Sequence, residues 1–105
     1  MNPLQNGSVL KEHQNQRVEK VHLINGTFAA SDARKILLDM LHNKINFHNR
    51  QIQIIQEQGS GDTSHSEKRI DELYDLTEKL KALLADAEKS DRRIEIECPL
   101  ILHVQ

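Results

Sequence analysis

Two long amphipathic segments, joined by a short glycine-containing connector, constrain the fold of this chain more than any other feature. The first segment runs from about Ser31 to Gln58, the connector covers Gly59–Ser64, and the second segment runs from about His65 to Ser90. Connectors of this length commonly join antiparallel helices. The sequence therefore predicts a helical hairpin whose open end carries the remaining parts of the chain.

The first amphipathic segment has an apolar arc that is wider than one partner helix requires. Its main stripe, spaced by three, four or their sums, is Ala33, Leu37, Leu41, Ile45, Ile52 and Ile55. The residues that widen this stripe are Ile36, Met40, Phe47 and Ile54. At about 100° per residue, the combined arc covers about half of the helix circumference. The surplus apolar surface indicates self-association, because large apolar patches are unusual on soluble monomers.

Three residues of the wider arc, Met40, Phe47 and Ile54, are the predicted interface residues. Phe47 is the predicted anchor, because large aromatic side chains concentrate binding energy at interfaces. Two hairpins packed face to face would form a four-helix bundle. Twofold symmetry is the commonest arrangement for such a contact, so a homo-oligomer is expected and a dimer is favoured.

The second segment has a matching apolar stripe and a capping signal at its start. The stripe consists of Ile70, Leu73, Leu80, Leu84 and Ala87, with Leu76 and Leu83 beside it. Ser64 and Glu67 fit a capping box at the start of this helix. Thr27 or Ser31 is expected to cap the first helix, and Asp32 lies in its first turn.

A strand is predicted on each side of the hairpin. Arg17–Ile24 is rich in β-formers and is followed by the turn-forming pair Asn25-Gly26. Arg92–Val104 alternates between polar residues and one apolar face, composed of Ile94, Ile96, Cys98, Leu100, Leu102 and Val104. Pro99 predicts an edge or a bend there. Both strands leave the same end of the hairpin, so they are expected to pair antiparallel.

These elements predict an α+β fold, an antiparallel helical hairpin with a small antiparallel sheet formed by the N- and C-terminal strands. Residues 17–105 are expected to form a single domain. Residues 1–16 are interpreted as an N-terminal tail, in which Ser8–His13 could add an edge strand.

A polar cluster on the first helix, Lys44, His48 and Gln51, lies near the middle of the apolar arc. It could be a satisfied hydrogen-bond network or a set of long side chains that reach solvent, and this is the favoured interpretation. It could instead bind a small ligand.

No catalytic residue is predicted: Cys98 alternates with apolar neighbours, which is typical of a core cysteine. No metal or cofactor is expected, because no histidine pair stands at i, i+4 and no cysteine–histidine cluster exists.

Charge and cysteine content exclude several classes of partner. The formal net charge is -2 with both signs mixed along the chain, which predicts no nucleic-acid or anionic-membrane partner. No apolar run approaches the ~20 residues that span a bilayer, and no signal peptide is visible. The only cysteine, Cys98, cannot form a disulfide within the chain. These features predict a cytoplasmic protein.

Several short stretches of the sequence are similar to stretches of other proteins. They are Ile24–Phe28, Asp32–Arg34, Ile36-Leu37, Lys44–His48, Ser66–Ile70 and Glu72-Leu73. Between Leu23 and Leu84 the chain resembles small uncharacterised bacterial proteins of similar length. The resemblance implies no activity, ligand or partner.

The sequence thus favours a non-catalytic structural or protein-interaction module that acts as a homo-oligomer. The alternative is a small-ligand-binding or regulatory module that uses the polar cluster, and an enzyme comes third.

Overall fold

The computed structural model describes residues 17–105, so the edge strand predicted at Ser8–His13 lies outside the described residues. The elements in chain order are β1 (Arg17–Ala29), α1 (Ala30–Glu57), α2 (Ser64–Lys89) and β2 (Arg93–Val104). The two strands form a two-stranded antiparallel sheet, and the two helices form a hairpin. The predicted α+β class and the predicted pairing of the two strands are confirmed.

The described residues fall into two compact units. The hairpin unit is Thr27–Ile94, and the ribbon unit contains β1 up to Gly26 together with Glu95–Gln105. Each unit is described separately below. The assignment of residues 17–105 to a single domain stays a prediction.

The core of the hairpin unit forms along the predicted helix stripes. Its buried centre is Leu41, Ile45, Ile70 and Leu73, with Leu38, Ile52 and Leu80 packed against it. Leu84 of α2 is only 1% exposed, and Ala33 of α1 is fully buried. The spacing of three and four residues therefore identified the side chains on which the two helices pack.

The start of α1 differs from the prediction. The N-cap residue is Ala29, whose side chain makes no capping hydrogen bond. Thr27 lies inside β1 and Ser31 lies inside α1, so neither caps the helix, and both predicted caps are wrong. The physical reason is the sheet: β1 extends directly to the helix, and the chain enters α1 from extended backbone rather than from a capped loop.

The start of α2 also differs from the prediction by one residue. Thr63 is the N-cap residue, and its hydroxyl donates to Glu67 Oε2 at 2.6 Å. The Ser64 N–H donates to Asp62 Oδ1 at 2.9 Å, and hydrogen bonds from Ser64 hold the pKa of the Asp62 carboxyl below its usual value. The capping box predicted at Ser64 is wrong, because the helix begins at Ser64 itself. The Asp62 carboxylate, two residues before Ser64, accepts the hydrogen bond from the Ser64 N–H.

The connector requires glycine at two positions. Gly59 has φ +76° and Gly61 has φ +122°, and the second value is accessible almost only to glycine. A Cβ atom on Gly61 would lie 2.8 Å from Ile55 Cγ2, whereas a Cβ on Gly59 would meet nothing within 4 Å. The close approach of the connector to Ile55 thus depends on Gly61.

In the sheet, β1 continues through Asn25-Gly26 to Ala29. The predicted break at Asn25-Gly26 is therefore wrong, because pairing with β2 overrides the local turn preference. The apolar face of β2 is also less buried than predicted. Ile96 is buried and Cys98 is half-buried, but the exposure rises toward the end of the strand, where Leu102 and Val104 are each 50% exposed. Between Arg17 and Gln105 the sheet has only these two strands, so it buries little apolar surface.

Candidate interaction face and polar cluster

The hairpin unit exposes five apolar residues that repeat every seven positions along its helices. They are Met40, Phe47 and Ile54 on α1 and Leu76 and Leu83 on α2, and we call this set the apolar face. Phe47 is 55% exposed, Ile54 37%, Leu76 41% and Leu83 52%, while Met40 is half-buried. A seven-residue spacing keeps side chains on nearly the same side of a helix. Each helix therefore presents an apolar stripe outside the hairpin core.

Both stripes point away from a groove on one side of the hairpin. The groove has a volume of about 340 Å³, and its lining includes Leu38 of α1 and Tyr74 of α2. Met40 follows Leu38 by two residues and Leu76 follows Tyr74 by two residues, which is a rotation of about 200° in each helix. Met40 and Leu76 therefore point away from the groove, so neither stripe belongs to it.

A shallow depression of about 410 Å³ lies within the α1 part of the apolar face. It is lined by Met40, Asn43, Lys44 and Phe47. The Lys44 side chain is exposed beside the ring of Phe47. The depression thus combines an apolar floor with one amide and one positive charge.

His48 lies at the border between the apolar face and the hairpin core. Its ring meets the ring of Phe47 edge to face, with centroids 5.3 Å apart and an interplanar angle of 83°. The residue as a whole is half-buried, but its Nδ1 atom is buried and has no hydrogen-bond partner. Such an orphan polar atom is unusual in a folded interior.

The environment of His48 disfavours its charged form. Burial is the largest cause that lowers its pKa below the usual 6.5, and the positive charges of Lys44, Arg69 and His65 lower it further. His48 is therefore neutral at pH 7.

The three residues of the predicted polar cluster do not line one depression together. Lys44 lines the depression, whereas His48 and Gln51 are half-buried and do not line it. Among the described residues, no hydrogen bond joins Lys44, His48 and Gln51 to one another. A ligand cannot reach the buried Nδ1 of His48 in this conformation, and Lys44 is the member of the cluster that lines the depression.

The remaining candidate groups lie apart from each other. Within residues 17–105, no three His, Cys, Asp or Glu side chains converge as a metal-ligand set. Cys98 is half-buried in β2 rather than in a closed core. In the same part of the chain, neither helix is long and apolar enough to cross a membrane.

The sequence interpretation missed two features of the surface. Leu76 and Leu83 were expected beside the hairpin core, but both are largely exposed. Their separation by seven residues was the available signal, because it matches the spacing of Met40, Phe47 and Ile54. The second feature is an apolar surface on the ribbon unit, at Val18, Val21, Leu23, Ile101, Leu102 and Val104.

Comparison with known proteins found no match for this chain. A scan against protein-family models matched none, and searches of curated proteins and of solved structures also matched none. The resemblance between Leu23 and Leu84 to small bacterial proteins therefore assigns neither an activity nor a ligand.

Proposed function

We propose that this protein is a non-catalytic interaction module that self-associates through the apolar face of its helical hairpin. The observation that carries the proposal is the exposure of Phe47, Leu76 and Leu83, each at least 41% exposed although none belongs to the groove between the helices. A second copy of the same face is the proposed partner, because an isologous contact covers both apolar surfaces at once. The proposal includes a cytoplasmic location, which suits a chain whose only cysteine is Cys98.

The size of the apolar face indicates a modest affinity. A phenylalanine side chain offers roughly 200 Å², so the 55% exposed at Phe47 corresponds to about 110 Å², or about 3 kcal/mol per copy. At the same coefficient, the roughly half-exposed Leu76 and Leu83 add about 2 kcal/mol each. Two copies together gain about 14 kcal/mol, of which the association cost of roughly 4–15 kcal/mol removes a large part. We therefore expect dissociation constants in the micromolar range or weaker.

Sedimentation equilibrium over about 5–500 µM tests this proposal around the expected affinity. The wild type is expected to show a concentration-dependent increase in mass. Phe47→Glu buries a charge in the contact and is expected to halve the weight-average mass at the highest concentration. Tyr74→Glu is the matched control, because Tyr74 is 52% exposed but lines the groove instead of belonging to the apolar face.

Circular dichroism must show that both variants keep the helical content of the wild type. A wild type that stays a well-folded monomer throughout would refute the proposal. Equal effects of Phe47→Glu and Tyr74→Glu would also refute it, because the association would then not depend on the apolar face.

A second candidate function is the binding of a small ligand in the depression at Met40, Asn43, Lys44 and Phe47. A depression lined by both the Lys44 ammonium and the Phe47 ring suits a molecule with a flat apolar body and a negative group. Benzoate is a suitable probe in an NMR titration. Saturable shifts of the Asn43 and Lys44 amides that are lost in Lys44→Ala would favour this candidate, whereas unchanged spectra at millimolar benzoate would exclude this class of ligand.

A further inference from the structure

The position of His48 in α1 belongs by helical geometry to the side that packs against α2. His48 follows Ile45 by three residues and precedes Ile52 by four, and both isoleucines belong to the hairpin core. The Nδ1 atom of His48 is buried, but it has no hydrogen-bond partner. Buried polar atoms in proteins nearly always have one. The imidazole is therefore held at this position by packing and not by a hydrogen bond at Nδ1.

A proton on His48 creates a group that this position does not accommodate. The imidazolium carries an N–H on both ring nitrogens, so the buried Nδ1 becomes a charged donor without an acceptor. The charged neighbours that lower the pKa of His48 are all positive: Lys44 on α1, and Arg69 and His65 on α2. Arg69 donates to Glu72 Oε1 at 2.9 Å, so that carboxylate is already engaged. Movement of the ring into solvent relieves both the unpaired donor and the repulsion.

The His48 ring also contacts the middle residue of the α1 stripe of the apolar face. The rings of His48 and Phe47 meet edge to face, with centroids 5.3 Å apart. Aromatic pairs in this arrangement stabilise each other beyond the area that they bury. Because Phe47 is 55% exposed, its ring has room to change rotamer once His48 moves. The protonation state of His48 is thus coupled to the shape of the apolar face.

We propose that His48 is a pH-sensitive switch of the apolar face: uptake of a proton moves its ring out of the hairpin interior and displaces the Phe47 ring. The apolar face keeps the form described above only while His48 is neutral. Self-association is then strongest at neutral pH and weakens on acidification. This effect on association rests on the proposed function, whereas the coupled movement of the two rings takes place within one chain and does not.

An NMR titration of full-length protein between about pH 7.5 and 5 measures the movement of the two rings. The chain has two phenylalanines, and the ring signals of Phe47 are those that disappear in Phe47→Leu. Because the pKa of His48 is lowered, we expect its ring signals to titrate with a midpoint below 6.5. The ring signals of Phe47 should change with the same midpoint. In His48→Gln, whose side chain is neutral at every pH, this change at Phe47 should be lost.

Sedimentation equilibrium at about pH 7.5 and 5 measures the consequence for self-association. The dissociation constant of the wild type is expected to be about tenfold higher at the lower pH, and that of His48→Gln to change by less than about twofold. His42→Gln is the matched control, because His42 is an exposed histidine of the same helix that lines the groove instead. This control should keep the pH dependence of the wild type.

The two measurements separate the switch from the proposed function. If the wild type stays monomeric at neutral pH, the proposed function fails, but a shared midpoint for His48 and Phe47 still supports the movement of the rings. Phe47 signals that do not respond to the protonation of His48 would overturn the switch whether or not the protein associates. Association that is independent of pH, or whose pH dependence persists in His48→Gln, would overturn it as well. So would a loss of helical circular dichroism at the midpoint of His48, because the proton would then unfold the hairpin instead of moving two rings.

Discussion

The two adjacent leucines on α2, Leu83 and Leu84, allow the core and the apolar face to be tested with the same substitution. Leu84 is 1% exposed and Leu83 is 52% exposed, although one peptide bond separates them. Changing each to alanine removes the same atoms from the same helix. We expect Leu84→Ala to lower the free energy of unfolding and Leu83→Ala to lower mainly the affinity of self-association.

The magnitudes follow from the difference in burial. A fully buried Leu→Ala change costs about 3–5 kcal/mol, since it removes buried methyl groups and leaves a cavity. For a chain of 105 residues the total stability is about 5–15 kcal/mol, so Leu84→Ala removes a large part of it. It is expected to lower Tm by about 15 °C or more. Leu83 has half of that burial and leaves no closed cavity, so its loss is expected to cost about 1 kcal/mol or less.

Urea unfolding followed by circular dichroism at 222 nm measures this difference, because all the helix of the described chain belongs to the hairpin. The measurement belongs at about 1 µM protein, where a weak assembly contributes little to stability. Sedimentation at about 200 µM then reports the association of Leu83→Ala, at a concentration where a micromolar contact is filled. Equal losses of stability in the two variants would refute the assignment of Leu84 to the core and Leu83 to the surface. Unchanged association in Leu83→Ala would remove Leu83 from the proposed interface.

Two further predictions concern His48 and the connector. The folded pKa of His48 lies below its unfolded value of about 6.5, so the unfolded chain binds the proton first as the pH drops. The free energy of unfolding is therefore greatest above about pH 6.5 and falls as the pH drops toward the folded pKa. Urea unfolding between about pH 7.5 and 5 should show a smaller loss of this free energy in His48→Gln than in the wild type, and an identical loss would contradict the assignment. Gly61→Ala is expected to lower the free energy of unfolding by about 2 kcal/mol or more, since it combines an unfavourable φ with the contact to Ile55. Gly59→Ala should lower it by about 1 kcal/mol, because only its φ is unfavourable. Equal losses in thermal unfolding would show that the Ile55 contact carries no cost.

The sequence by itself determined the helical hairpin. The repeating apolar positions led to Leu41, Ile45, Ile70 and Leu73 as core residues, because a helix must bury a stripe whose period matches its turn. The same reasoning identified Phe47 as surplus to the hairpin core, and the structure leaves it largely exposed. Local periodicity decides these features, so they are visible without knowledge of the tertiary structure.

The strand and helix ends were decided by partners distant in the sequence. Asn25-Gly26 has the local signature of a turn, yet it lies within β1, because pairing with β2 satisfies its backbone in extended form. Alternation predicted burial for Leu102 and Val104, but alternation identifies only the two faces of a strand. Whether a face is covered depends on a second layer, which a strand cannot specify by its own sequence.

The polar cluster also combines a feature that the sequence determines with one that only the tertiary structure decides. Helical spacing placed Lys44, His48 and Gln51 within one arc, and this much depends only on the geometry of α1. The tertiary structure gives them different surroundings, since the Nδ1 atom of His48 is buried and the His48 ring lies against Phe47, while Lys44 remains in solvent. Spacing along a helix determines the direction of each side chain, but the packing of α2 against α1 decides which of these directions ends in the interior and which ends in water.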